Sequence, residues 1–385
     1  MPDHSLYPRF SDQEYERRNG VVNDFLARHE LDALVVFGWS AMGRAVQADV
    51  HYLSTYLGMR DNYVVAGAGQ EATLFVQSYN HVPNAQEVSH LGDVRWGGSD
   101  PGETVGRELN RRGATAVGVV GMMPYQHHRR MLETSPTVEL RDVTPAFRAL
   151  RVTKSDEELE WLRRGASFTD DALYALEAAL EPGIPEYALG AAIESAYLGR
   201  GGLTTFYYLA ATPMASPTRC VPAQVLSSRP LEAGDVVSCE ISISYGGYAG
   251  QGLRTFTVRA EPTPLISELH AVAEAVYESV RSAIRPGATH EDVWAASDLI
   301  EDSGFTIRDG LVHGFGIGLL PPSLRTRATT HFADPWVFRE NQTIVIQPNV
   351  ITLDETVGVQ TGDLCVVTAD GCESMHRFPP GLRHV

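Results

Sequence analysis

A carboxylate inside an apolar stretch is the first feature of this sequence that points to chemistry. Glu240 interrupts the run Val236–Ile241, whose other members are apolar or small. An unpaired carboxylate is costly to bury, so Glu240 needs a partner, either His313 or Arg254. An imidazole exchanges protons near neutral pH. Glu240 is therefore expected either to orient His313 or to form a purely structural ion pair.

Other reactive side chains are few. Lys154 is the only lysine, which excludes a Schiff-base lysine at any other position. The four cysteines show no CxxC spacing, so we expect a reducing cytoplasm and neither a disulfide framework nor a zinc site. Cys239 is a weak candidate nucleophile because strand alternation turns it away from the face of Glu240. The run Gly314–Gly318 has neither the lysine nor the spacing of a phosphate loop.

Composition narrows the class of protein. The chain has 385 residues, a formal charge of -17 and 43% hydrophobic residues, which is typical of two globular domains. The acidic balance argues against nucleic acid or an anionic membrane as partner. We find no membrane-length apolar run and no signal peptide at the N-terminus. The sequence predicts a cytoplasmic protein that binds a small molecule.

The first 150 residues alternate helical and strand patterns. This alternation predicts a small α/β domain over 1–150, with a helix at 14–29 and strands at 33–37, 63–66, 72–76 and 116–120. A capping box formed by Ser155 and Glu158 starts the next helix, which ends before Pro182-Gly183. The second domain is therefore expected to span 151–385.

An internal repeat organises this second half. Two helices separated by a Pro-Gly pair and followed by strands occur twice, and Pro182-Gly183 and Pro286-Gly287 lie 104 positions apart. Repetition of one αα-β-β unit predicts a pseudo-twofold α+β domain with a site at its centre.

Three segments resemble a known family. They are Glu240–Phe256, the glycine-rich His313–Gly318, and Val345–Asn349 together with Gly358–Asp363. In this order and spacing they are similar to the pita-bread fold of creatinase, prolidase, aminopeptidase P and methionine aminopeptidase, the peptidase M24-like family. The resemblance implies a pita-bread domain over 151–385, preceded by a creatinase-like N-terminal α/β domain over 1–150.

The resemblance also locates the metal ligands of the family's peptidases. Their five positions fall on Glu240, Gln251, His313, Gln347 and Gly362. Hard divalent cations prefer charged oxygen ligands, and this set keeps one carboxylate and one imidazole. The resemblance therefore implies no metal and no cofactor, as in the metal-free creatinase-like branch. A second family histidine falls on Leu320.

Similarity to this branch implies a metal-independent enzyme that cleaves a C–N bond of a small polar substrate. Our first interpretation is that the bond is cleaved by hydrolysis. The alternatives are a lyase, isomerase or cyclase of specialised metabolism on the same fold, and a catalytically inactive binding module. The expected catalytic residues are His313, as acid/base, and Glu240. The expected substrate-binding residues are Gln251, Gln347, Tyr248, Leu320 and Arg60.

Two of these assignments carry a further condition. Tyr248, like Tyr207 and Tyr208, is either part of the pocket wall or part of the core. Arg60 would hold a substrate carboxylate across a homodimer, and its alternative is a surface arginine. A homodimer is therefore the expected assembly.

Overall fold

Helices and strands alternate through the first part of the chain, as their hydrophobic pattern predicts. The computed structural model describes residues 6–39, 47–330 and 335–385. It divides into the units Met1–Arg151 and Val152–Val385. Among the described residues, none of the helices combines the length and the apolar character that a membrane span requires.

The first unit is a mixed sheet with helices packed against it. Its strands are β1 Ala33–Gly38, β2 Asn62–Gly67, β3 Thr73–Val76, β4 Asp93–Trp96, β5 Ala116–Val120 and β6 Glu139–Asp142. Its helices are α1 Asp12–Arg28, α2 Ala48–Ser54, α3 Val82–Val88, α4 Pro101–Arg112, α5 Tyr125–Thr134 and α6 Thr144–Ala149.

The sheet of this unit has the order β4-β3-β2-β1-β5-β6. The strand β1 pairs antiparallel with β2 and parallel with β5. Its alternate side chains enter two different apolar clusters, because Leu34 and Val36 belong to one and Val35 and Phe37 to the other. Burial on both faces explains why this strand is a continuous apolar run.

The second unit carries the longer helices and a larger sheet. Its helices are α7 Asp156–Ala179, α8 Glu186–Ser195, α9 Pro264–Ala283, α10 His290–Ser297 and α11 Leu299–Asp302. Its first strands are β7 Leu203–Pro213, β8 Asp235–Tyr245, β9 Tyr248–Thr257, β10 Thr306–Ile307, β11 Val312–Gly316 and β12 Gly318–Leu324. The remaining strands are β13 Thr343–Ile346, β14 Asn349–Ile351, β15 Gly358–Gln360, β16 Gly362–Val367, β17 Cys372–Ser374 and β18 Arg383–His384.

The main sheet of this unit follows the order β12-β11-β13-β16-β9-β8-β7, with β17 paired to β16 and β18 to β9. The halves of the repeat meet where β16 pairs with β9. One half packs α7 and α8 against β7, β8 and β9, and the other packs α9 against β11, β13 and β16. Because the helices cover one face of the sheet, polar side chains can collect on the opposite face.

Close backbone packing holds α7 against the sheet. The helix starts at the capping box of Ser155 and Glu158, which also confirms the sequence-predicted start. A β-carbon on Gly165 would lie 2.4 Å from the Tyr248 carbonyl oxygen, and one on Gly250 would lie 2.3 Å from the Ala166 α-carbon. Only glycine at both positions allows this approach.

This packing generates a stability prediction. Gly165→Ala should destabilise the protein by roughly 1–3 kcal/mol, because its methyl group meets backbone that cannot move aside. For a unit of this size, Tm should fall by about 2–10 °C in calorimetry. Gly199→Ala is the matched control, since a β-carbon there meets no atom within 4 Å. Equal Tm values for the two variants would refute the packing argument.

Candidate active site

Strand pairing assembles a polar surface on the uncovered face of the sheet. Tyr208 of β7 pairs with Glu240 of β8, Glu240 with Leu253 of β9, and Leu253 with Gly362 of β16. Paired residues point to the same face of a sheet. The neighbours of Glu240 along β8, Cys239 and Ile241, enter the apolar cluster beneath α7. Glu240 therefore points away from the helices.

Two glutamine amides connect Glu240 to His313. Gln251 Nε2 donates to Glu240 Oε1 at 2.8 Å and to Gln347 Oε1 at 2.9 Å. Gln347 Nε2 donates to the Gly310 carbonyl oxygen at 3.2 Å. His313 Nε2 lies 3.2 Å from the same Gln347 Oε1. We call Glu240, Gln251, Gln347 and His313 the amide-linked cluster.

The hydrogen-bond partners in the amide-linked cluster determine how each amide is oriented and which nitrogen of His313 carries a proton. A carbonyl oxygen only accepts, so the Gly310 carbonyl directs Gln347 Nε2 towards itself and Gln347 Oε1 towards His313. His313 must then carry a proton on Nε2. Its Nδ1 lies 3.2 Å from the Gly314 carbonyl oxygen, which is also an acceptor. Neutral His313 therefore has an Nδ1 lone pair without a proton donor, and the imidazolium form satisfies both nitrogens.

Burial keeps the acid of the amide-linked cluster neutral. Glu240 is 8% exposed. Desolvation, supported by the negative charge of Asp309, raises its pKa to about 8. Asp309 is exposed and lies four residues before His313. At neutral pH, most Glu240 carboxyls therefore hold a proton.

Burial also keeps the base neutral. Desolvation lowers the pKa of His313, although the hydrogen bonds to Gly314 and Gln347 and the charge of Asp309 oppose this effect. Two neighbouring groups whose environments drive their pKa values apart form the usual basis of an acid–base pair. The amide-linked cluster therefore contains a carboxylic acid that can donate a proton and an imidazole that can accept one.

Four of the sequence-predicted site residues, those of the amide-linked cluster, lie together. The expected partner of Glu240 was wrong, because its carboxyl accepts a hydrogen bond from Gln251. Arg254 instead pairs with Asp363 at 2.9 Å. Register explains this outcome, since Glu240 and Gln251 are diagonal neighbours on paired strands.

Three of the predicted residues are not members of the amide-linked cluster as defined above. Tyr248 is buried, donates to Glu158 Oε1 at 2.8 Å and contacts Trp161 of α7, so it belongs to the helix-covered face. Leu320 is buried on β12 opposite Gly314. Arg60 belongs to the first unit, just before β2.

Sequence reasoning missed Asp309 and Ser242, which also lie around this cluster. Asp309 acts on both titratable groups. Ser242 and Tyr208 share the face of Glu240, because Ser242 is two residues along β8 and Tyr208 is its cross-strand partner. Strand alternation would have revealed Ser242. The sequence left Tyr208 open between pocket wall and core. The register of β7 against β8, which is shifted by an irregularity between Thr204 and Phe206, places it on this face.

Comparisons with known proteins identify the relationships of the chain. The model of metallopeptidase family M24 matches residues 160–369, and that of the creatinase/prolidase N-terminal domain matches residues 20–153. The Xaa-Pro dipeptidase of Pyrococcus furiosus is 24% identical to this chain, and the alignment covers 86% of this chain and 91% of the dipeptidase. The probable dipeptidase PepE of Mycobacterium tuberculosis (strain H37Rv) is 26% identical over 69% of each.

A solved structure supports the same fold. The prolidase of Pyrococcus horikoshii superposes with a TM-score of 0.80 at 22% identity, covering 95% of this chain and 99% of the other. The predicted fold class is thus confirmed: an α+β pita-bread domain preceded by a smaller creatinase-type α/β domain.

The prediction of a metal-independent, creatinase-like enzyme was wrong. The relatives above are dipeptidases, whereas the creatinase of Bacillus sp. (strain B-0618) is a weaker match at 22% identity. The alternatives of a lyase, isomerase or cyclase and of an inactive binding module find no support among these relatives. The correction rests on these relatives, which are named as dipeptidases.

The family name implies metal, so the donor set was tested against a pair of divalent ions. It offers one carboxyl, two neutral amides and one imidazole, and the described residues contain no group of three or more His, Cys, Asp or Glu side chains able to hold an ion. A β-carbon on Gly362 would lie 2.2 Å from the Ile346 carbonyl oxygen, so this position has no room for a donor side chain. These residues do not fit two divalent ions.

The raised pKa of Glu240 predicts a pH-dependent stability. Between about pH 4.5 and 8, this carboxyl ionises in the unfolded chain and stays protonated in the folded one, so unfolding is increasingly favoured as pH rises. As pH rises through this range, the unfolding free energy of the wild-type protein should fall by roughly 3–5 kcal/mol relative to that of Glu240→Gln. Above about pH 8 the difference between the two proteins should stay constant.

Denaturant unfolding at pH 5, 6, 7, 8 and 9 measures this difference. Glu373→Gln, an exposed glutamate of the same unit, is the control and should follow the wild type. If the unfolding free energies of Glu240→Gln and wild type changed with pH in the same way, Glu240 would ionise normally in the folded protein.

Proposed function

We propose that this chain, which belongs to the metallopeptidase family M24, hydrolyses the amide C–N bond of a small dipeptide-like substrate. The observation that carries the proposal is the amide-linked cluster, which holds a protonated carboxyl and a neutral imidazole on one face of the sheet. Hydrolysis of an amide needs both an acid for the leaving nitrogen and a base for water.

The substrate class is supported by the relatives. The two curated relatives described above are named dipeptidases, and a dipeptide is a small polar molecule with one amide bond. The side chains of Gln251 and Gln347 are nearly inaccessible, at 0% and 3% exposure, so they orient the acid and the base rather than contact the substrate.

His313 is the base of the proposed reaction. In its neutral form, Nε2 donates to Gln347 and the Nδ1 lone pair has no donor. A water molecule can fill that need. As its oxygen attacks the carbonyl carbon, one of its protons passes to Nδ1. The imidazolium then donates from both nitrogens, to Gly314 and Gln347, which stabilises the charge.

Glu240 is the acid. It accepts the Gln251 hydrogen bond at Oε1 and gives its own proton to the leaving nitrogen. The C–N bond breaks, and the products are a carboxylic acid and an amine. Glu240 has then lost one proton and His313 has gained one, and exchange with solvent restores both.

Two broader expectations stay predictions. A homodimer in which Arg60 binds a substrate carboxylate is compatible with a dipeptide, which ends in a carboxylate. A cytoplasmic location is favoured by the cysteine pattern alone.

Loss of either group should remove activity. His313→Ala and His313→Asn should each lower kcat by about 10²–10⁴-fold, because neither side chain accepts a proton, and Glu240→Gln should have a similar effect. The assay separates the amino acids released from a panel of Xaa-Pro and other dipeptides, with and without added Mn²⁺.

His384→Asn, which alters an exposed histidine of the same unit, is the control. Wild-type kcat in His313→Ala would remove His313 from the mechanism. A wild-type enzyme that cleaves no member of the panel would refute the proposed substrate class.

The rate should follow a bell-shaped pH profile. The acid limb reports protonation of His313, at a pH below the ordinary histidine value because its pKa is lowered. The alkaline limb reports ionisation of Glu240 near pH 8. In Glu240→Gln, the residual rate should keep the acid limb and lose the alkaline one. A profile of kcat/KM from pH 5 to 10 tests this, and an unchanged alkaline limb in Glu240→Gln would contradict the assignment.

A further inference from the structure

An aromatic pair borders the amide-linked cluster. Phe206 and Tyr208 of β7 pair with Ser242 and Glu240 of β8, so both rings lie on the face of the cluster. The rings stack with centroids 4.7 Å apart and planes inclined by 19°. Both residues are partly exposed. A ring held by its neighbour beside an exposed part of the site can contact a bound molecule in a fixed orientation.

The hydroxyl of Tyr208 differs from those of nearby tyrosines. Tyr207 donates to Glu194 at 3.1 Å, and Tyr248 donates to Glu158 at 2.8 Å. The Tyr208 hydroxyl has no hydrogen-bond partner among the residues that the structure describes. Its donor is therefore available to a molecule in the site.

The surroundings keep this hydroxyl protonated. Desolvation raises the pKa of Tyr208, and the charges of Glu240 and Asp309 raise it further. Tyr208 is thus a neutral O–H donor at every pH at which the proposed reaction runs.

Other donors on this face are less suitable. Both hydrogens of Gln251 Nε2 are used, one by Glu240 and one by Gln347. The hydroxyl of Ser242 also has no partner among the described residues, but the residue is fully buried. Tyr208 combines a free donor with partial exposure.

We propose that Tyr208 is a catalytic residue that donates a hydrogen bond to the carbonyl oxygen of the scissile amide. This inference rests on the proposed function. When the water oxygen bonds to the carbonyl carbon, the C=O π electrons move onto the carbonyl oxygen, and the phenol hydrogen bond stabilises that charge. The electron pair returns when the C–N bond breaks, and Tyr208 keeps its proton throughout.

The test is Tyr208→Phe, which removes one oxygen atom and keeps the ring and its stacking on Phe206. Loss of one donor to a developing oxyanion should lower kcat by about 10²–10³-fold. KM should change little, because the hydrogen bond strengthens only as the charge forms. Tyr207→Phe is the matched control: the same atom is removed from the adjacent residue, whose hydroxyl bonds to Glu194. Circular dichroism and Tm verify that both variants fold.

A second measurement does not depend on turnover. A phosphinic analogue of a cleaved dipeptide carries an anionic tetrahedral group in place of the amide. Its Kd should rise by about 10²–10³-fold in Tyr208→Phe and stay at the wild-type value in Tyr207→Phe.

The outcomes separate the two proposals. Wild-type kcat and analogue affinity in Tyr208→Phe would overturn the role of Tyr208, while inactivity of Glu240→Gln would leave the proposed hydrolysis standing. An equal loss in Tyr207→Phe would show that damage to β7 is the cause, and would also overturn it. A wild-type enzyme inactive on every dipeptide would overturn both proposals.

Discussion

The orientation of one side-chain amide determines the chemistry of this site. Gln347 Nε2 donates to the Gly310 carbonyl oxygen, and this contact sets the direction of every other hydrogen bond in the amide-linked cluster. Gln347 Oε1 must accept from both Gln251 and His313. Gln251 can then present only its nitrogen to Glu240, and His313 must hold its proton on Nε2. Reversing this amide would place donors against donors throughout the cluster.

Backbone packing makes that orientation possible. At Gly362, β16 approaches Ile346 and Gln347 so closely that a β-carbon would overlap with both. The absence of a side chain at this position allows β16 to pack directly against the backbone of Ile346 and Gln347. On the other side of the sheet, Gly165 and Gly250 bring α7 into backbone contact with β9. Glycine thus positions the polar face from both sides, without contributing a functional group.

The sequence predicted the architecture because its signals are local. The capping box of Ser155 and the repeated Pro-Gly pair depend on residues close in the chain, and both mark element boundaries that the structure contains. The four residues of the amide-linked cluster could also be predicted from the sequence, because a family pattern places them at fixed positions. The hydrogen bonds between these residues could not be predicted. The partner of Glu240 depends on the strand register across 11 residues of chain and on the orientation of an amide. The relationship to dipeptidases was missed for another reason. The similarity to them extends along most of the chain, whereas the prediction of a creatinase-like branch rested on a few metal-ligand positions.

The same burial produces opposite protonation tendencies in the acid and the base. Removal from water disfavours any charge, so it raises the pKa of Glu240 and lowers that of His313. The negative charge of Asp309 adds to the first shift and opposes the second. Both groups are consequently uncharged around neutral pH, with the proton on the carboxyl and the free lone pair on the imidazole. Proton transfer during the reaction creates the two charges together, and the acceptors at Gly314 and Gln347 and the donor at Gln251 are already positioned to stabilise them. The site thus places its hydrogen bonds where charge develops, which is the arrangement that lowers a barrier rather than one that binds the resting state more tightly.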